Sequence, residues 1–229
     1  MNSTSHAETH ATGPQTFFAQ TMGYFALALT SATGGVFSGI FFLPQSLVTS
    51  GKFMFAMFAL SLILIFTAKK WSVGRLGYLF LIIFAGVLGI TLVPLLIHTV
   101  STVGVGILGK ALFASVSMFG GLAVYGFTTK KDLSGMGGFL MASLVGMIAI
   151  SLITFVLKLF GISIWSSGIE LIFSGFGILV FAGFTMYDFQ KIRNAKGSIS
   201  PIEASISLFL DFILLFQYVL RFMTALSRN

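Results

Sequence analysis

Seven apolar runs follow one another along the chain, at 17–43, 51–68, 76–97, 107–127, 137–157, 168–189 and 203–224, with short polar connections between them. A helix needs roughly 20 apolar residues to cross the hydrocarbon layer of a bilayer, and seven such helices use about 140 residues. In a chain of 229 residues this leaves room for loops and a short tail but for no soluble domain. Charged residues make up 8% of the sequence, against about 25% in a soluble domain, whose surface must be wetted. A surface so poor in charge faces lipid. The expected fold is an all-α integral membrane bundle of seven transmembrane helices: a polar tail, 1–16, and one membrane domain, 17–229. The second run is short and has Lys52 at its start. The last reads either as a full span or as a tilted or re-entrant segment.

The net charge of +7 does not point to nucleic acid here, because the cations sit between apolar runs. Such cations set topology and meet lipid headgroups. Lys69, Lys70, Arg75, Lys130, Lys131, Lys191, Arg193 and Lys196 fall on one side, and Lys52, Lys110, Lys158, Arg221 and Arg228 on the other. The excess predicts that the first set, and with it the N-terminus, is cytoplasmic. The first 16 residues contain no Lys or Arg, so they lack the basic start of a secretory signal, and the first run is expected to remain as a span. Lys110, Lys158 and Arg221 lie near helix ends, where long side chains snorkel. Trp71 and Trp165 fall at opposite interfaces, where tryptophan concentrates.

Glycine occurs 26 times. Lipid gives no hydrophobic push between helices, so small residues that let backbones approach supply the contact energy. Gly35 and Gly39 form a small-xxx-small pair in the first span, and Gly175 and Gly177 thin the sixth. Ser200, Pro201 and Glu203 carry the pattern of a capping box with proline at the first helical position, which fixes the start of the last helix.

The chain has six acids: Glu8, Asp132, Glu170, Asp188, Glu203 and Asp211. The tail, a basic loop, the outer end of the sixth span and a helix cap account for four. Asp188 and Asp211 remain. Asp211 is eight residues past Glu203, roughly 12 Å along a helix. At that depth a group facing lipid costs at least ~2.5 kcal/mol, so it should face the bundle or a wet cavity. Asp188 follows a long apolar run. The two helices are antiparallel with a short linker, so their carboxylates are able to meet. A pair in a medium of low dielectric titrates as a unit: a shared proton joins the helices, and full ionisation drives them apart. Ionised carboxylate oxygens are also ligands for a hard cation such as Ca²⁺. The plainer alternatives are a salt bridge from Asp188 to Lys191 or Arg193, and one interhelical hydrogen bond from Asp211.

Other chemistry is poorly provided for. Cysteine is absent, which removes disulfides, thiol nucleophiles and thiolate metal sites. His98 is the one histidine outside the tail, and a single histidine makes no metal site. The spans hold no nucleophile–base set, the last span has no lysine for a Schiff base, and no phosphate loop or nucleotide fingerprint occurs. We therefore expect no enzyme and no cofactor.

Four stretches, in order, carry a family likeness: Gly89-Ile90-Thr91-Leu92-Val93-Pro94; Lys130-Lys131-Asp132-Leu133-Ser134; Tyr187-Asp188; and Ser207-Leu208-Phe209-Leu210-Asp211-Phe212-Ile213 with Arg221 beyond. With these, essentially the whole chain from about residue 17 resembles the transmembrane Bax inhibitor motif family, and most closely its bacterial calcium-leak members. The resemblance implies six helices around a central seventh, a pH-sensitive aspartate pair matching Asp188 and Asp211, and passive calcium leak with Ca²⁺ as the permeant ion. It also implies a clamp on that pair from the cytoplasmic end of the second helix. Lys69 stands there in place of the family's arginine, a point charge without the planar fork. An acid that some members carry within the second helix is missing. The long basic C-terminal tail of eukaryotic members is missing too, which points to a bacterial inner membrane. The competing expectations are a non-conducting regulator that binds a membrane protease or another membrane protein, and a proton-coupled transporter, against which stands the lack of an obvious inverted repeat.

Overall fold

The computed structural model describes residues 14–71, 76–162, 164, 166–195 and 198–228, apart from the side chains of Pro14, Gln15, Ala68, Lys69, Trp71, Lys158 and Leu159. The described residues form eight helices: α1 Pro14–Phe41, α2 Gln45–Val48, α3 Gly51–Trp71, α4 Gly77–Val103, α5 Gly106–Thr128, α6 Met136–Leu159, α7 Ser167–Arg193 and α8 Pro201–Leu226. Seven are long and correspond one to one with the apolar runs. The eighth, α2, is a single turn within the connection from α1 to α3. Six helices are long and apolar enough to cross a membrane, and the apolar part of α3, Gly51–Thr67, falls just short.

The packing nevertheless makes α3 a crossing. Ser31 Oγ donates to Ile82 O at 2.6 Å, Gly35 sits on the carbonyl of Gly86, Gly89 sits on that of Ala32, and Gly39 faces Val93. The partners rise together in number, so α1 and α4 run in the same direction. The one long helix between them, α3, has to carry the chain back. Its 21 residues reach about 31 Å at 1.5 Å per residue, enough for a hydrocarbon layer of about 30 Å.

Helix ends depart from the apolar runs where polar residues continue a helix. α1 begins at Pro14, inside the stretch assigned to the tail, because proline suits a first turn. α4 runs six residues past 97, where Ser101 and Thr102 hydroxyls bond back to His98 O. α7 extends to Arg193, so Asp188 lies within the helix and not at its end. α8 is an unbroken helix of 26 residues, about 39 Å long, which excludes a re-entrant loop. Ser200 accepts from Glu203 N at 3.1 Å as its cap.

α8 packs against α1, α3, α4, α5 and α7, whereas α6 lies chiefly on α7. One flank of α8, with Ile206, Phe209 and Ile213, joins Phe84 and Leu88 of α4 and Ala28 and Ala32 of α1. Another, with Leu208, Phe212, Leu215 and Val219, joins Phe119 of α5 and Phe181 and Phe189 of α7. A helix apolar on every flank is one buried on every side. The seventh long helix is thus central, with five of its six fellows around it.

Candidate functional site

α7 and α8 form an antiparallel pair. Glu170 reaches Arg228, Gly175 faces Phe222, Gly177 sits against Tyr218, and Ser207 stands opposite Asp188. As numbers rise on α7 they fall on α8. The missing Cβ of Gly177 lets the Tyr218 ring stack on Phe181, centroids 5.5 Å apart, and so sets how closely the two helices approach.

That approach brings the two sequence-predicted aspartates together. Asp188 is 8% exposed and Asp211 5%, and Asp211 lies close enough to Asp188 to feel its charge. Lys191, one turn beyond Asp188, contributes positive charge to both. Neither aspartate is in an ion pair among the described residues; the pair found there is Arg228–Glu170, at 3.6 Å. Asp211 Oδ2 is buried without a hydrogen-bond partner among the described residues. Buried polar atoms almost always have partners, and a buried carboxylate left uncompensated is costly. The orphan oxygen at the centre of the bundle is therefore a feature to explain. The side chain of Lys69, the expected clamp, lies outside the described residues, as do Trp165, Arg75 and Lys196 and the side chains of Trp71 and Lys158.

The helix end that carries Asp188 is tied down by Gln190, which no pattern in the sequence singles out, and by Arg193, expected as a salt-bridge partner of Asp188. Gln190, buried, accepts from Leu133 N and donates from Nε2 to Lys131 O, both at 2.7 Å. Arg193 donates to Phe127 O at 2.7 Å and Thr129 O at 2.8 Å. So Arg193 is spent on the α5–α6 connection and does not pair with Asp188. In the same connection Asp132 accepts from Ser134 N and Ser134 Oγ, both at 2.9 Å. These bonds hold its pKa below the usual carboxylate range. The Lys130–Ser134 stretch is thereby a folded turn strapped to the aspartate-bearing helix. No spacing signals this, because the partners of Gln190 and Arg193 are backbone atoms of a distant loop.

Two carboxylates, with a serine hydroxyl opposite one of them, present oxygen donors alone, the donor set of hard cations and of protons. Among the described residues no group of three or more His, Cys, Asp or Glu side chains gathers as a metal centre.

Comparison with known proteins gives the same placement along the whole chain. A family model described as "Inhibitor of apoptosis-promoting Bax1" matches residues 14–228. The inner membrane protein YbhL of Escherichia coli is 30% identical over 226 residues, covering 91% of each chain. Cj0236c of Campylobacter jejuni is 32% identical over 214 residues, 92% of this chain and 89% of its own. Bax inhibitor 1 of Schizosaccharomyces pombe is 31% identical over 200 residues, 85% of this chain and 71% of its own. With likeness of this extent to bacterial and fungal relatives alike, and a multi-pass helical bundle to match, the chain belongs to the Bax inhibitor family of membrane proteins.

Proposed function

We propose that the protein is a pH-sensitive calcium leak channel of a bacterial inner membrane, gated by Asp188 and Asp211, with its N-terminus in the cytoplasm. The observation that supports this is the buried pair itself: two acids at one helix–helix contact, with Asp211 Oδ2 left unpartnered among the described residues. An intramembrane acid without a fixed cation is suited to exchanging protons or meeting passing ions. When the pair shares a proton, the central helix and α7 are joined. When both groups are ionised, they repel and the contact loosens. Two carboxylates and a hydroxyl supply only part of the 6–8 oxygens Ca²⁺ takes, so an ion there is held briefly and passed on. Lys191 adds positive charge beside the pair, and Lys69 is assigned as its clamp on the family resemblance. No covalent step and no cofactor are involved.

The test is reconstitution in liposomes with Ca²⁺ flux followed across a pH series. The reading requires flux above that of empty liposomes, and a rate that changes with pH. Flux equal to empty liposomes at every pH, with a membrane protease or other membrane protein co-purifying, would establish the non-conducting regulator instead.

A further inference from the structure

Arg221 lies ten residues past Asp211 on α8, about 15 Å further along the helix. It lines a cavity of about 160 Å³ with Glu170, Phe173 and Ser174, between the first turns of α7 and the last of α8. Near the end of an apolar span a guanidinium extends toward the interface, where its natural partner is an anion. The acid in this cavity, Glu170, is engaged by Arg228 at 3.6 Å, and Arg221 has no ion pair among the described residues. The Ser174 hydroxyl is committed, donating to Glu170 O at 2.6 Å. With the cavity's one carboxylate held by Arg228 from beside it, the donors of Arg221 are the ones left over.

We propose that this cavity binds a phosphate group, with Arg221 as its principal donor. The planar fork of arginine fits phosphate oxygens in pairs. The cavity lies near the ends of α7 and α8, where a spanning helix meets the headgroup region, with Phe173 as its apolar wall. Two sources share this chemistry: the headgroup of a phospholipid, and inorganic phosphate entering from water. The site is at the end of the bundle away from the aspartate pair, and the inference holds whether or not the protein conducts calcium.

The experiment uses the purified full chain in detergent and native mass spectrometry, with dihexanoyl phosphatidylglycerol as probe and dihexanoyl glycerol as the phosphate-free control. The wild-type protein is expected to bind the phospholipid in preference to the control. Arg221→Gln should weaken that binding about tenfold or more, the usual scale for loss of a charge-assisted hydrogen bond. Glu170→Gln removes the competing carboxylate, frees Arg228 and should tighten binding. Displacement of the lipid by sodium phosphate identifies the free anion as a ligand, and resistance to it identifies the headgroup. Equal binding of the phospholipid and the control, or no loss in Arg221→Gln, overturns the proposal. Should Arg221→Gln fail to fold, unchanged or weaker binding by Glu170→Gln overturns it as well.

Discussion

Asp211 carries an oxygen that makes no hydrogen bond among the described residues, in the most buried helix of the protein. Its neighbour Asp188 faces Ser207, and Lys191 acts on both. A second candidate for pH sensitivity, Asp132, is exposed in the α5–α6 connection and separates cleanly from the pair. Its folded pKa is lowered by the two bonds from Ser134. A lowered carboxylate pKa contributes stability above the unfolded value, and that stability is lost as pH falls through the folded value. The turn thus stays intact until the pH falls below the ordinary value of 3.8. Asp132→Asn is expected to leave any pH response of flux above that value unchanged, which a flux–pH series on the variant checks. Gln190 makes the opposite kind of contribution. Gln190→Ala strands the N–H of buried Leu133, at a cost of about 1–3 kcal/mol. The expected readouts are a lower melting temperature in detergent and faster hydrogen exchange at the Leu133 amide.

At the scale of elements, α1 against α4 is the contact with least tolerance. A Cβ added at Gly35 or Gly89 would run into a backbone carbonyl of the facing helix, whereas one added at Gly34 meets nothing within 4 Å. Gly35→Ala and Gly89→Ala should each destabilise the bundle by about 1–3 kcal/mol, the range for overpacking. Gly34→Ala should be neutral or stabilising by up to about 1 kcal/mol, since alanine is the better helix former. Thermal melts of the three variants side by side check this contrast. The pairing of Gly35 and Gly39 is legible in the sequence because the spacing puts both on one helix face. Their partners Gly86 and Val93 are not, since any face of α4 is apolar enough to serve. The same holds for the site. Asp188 and Asp211 stand out because acids are rare in apolar runs, and their meeting follows from two antiparallel helices and a short linker. Gln190 and Arg193 bond to carbonyls and an N–H of the 127–133 stretch, and backbone atoms leave no trace in side-chain pattern. The ends of α4 and α7 run on because hydroxyl and charged side chains satisfy helix termini without being apolar.

The parallel course of α1 and α4 places Thr49 and Lys70 at opposite ends of α3. The alternation of the long helices also groups Lys70, at the end of α3, with Lys131 of the α5–α6 connection at one end of the molecule and Arg228 with Thr49 at the other. The chain has no cysteine of its own. Single substitutions Thr49→Cys, Lys70→Cys, Lys131→Cys and Arg228→Cys, all at exposed residues, therefore report topology without background. With the N-terminus in the cytoplasm, an impermeant thiol reagent on intact cells should label Thr49→Cys and Arg228→Cys. It should reach Lys70→Cys and Lys131→Cys only after permeabilisation. Labelling of Thr49→Cys and Lys70→Cys from the same side would mean that α3 does not cross.

The most direct measurement of the proposed gate is Ca²⁺ flux against pH for the wild type, Asp188→Asn, Asp211→Asn and the double variant in the same liposomes. Two carboxylates that titrate as one unit give a pH dependence that either single substitution abolishes and the double substitution does not alter further. An Asp211→Asn protein whose flux follows the wild-type pH profile, or single variants whose effects simply add, would contradict a switch built from the pair.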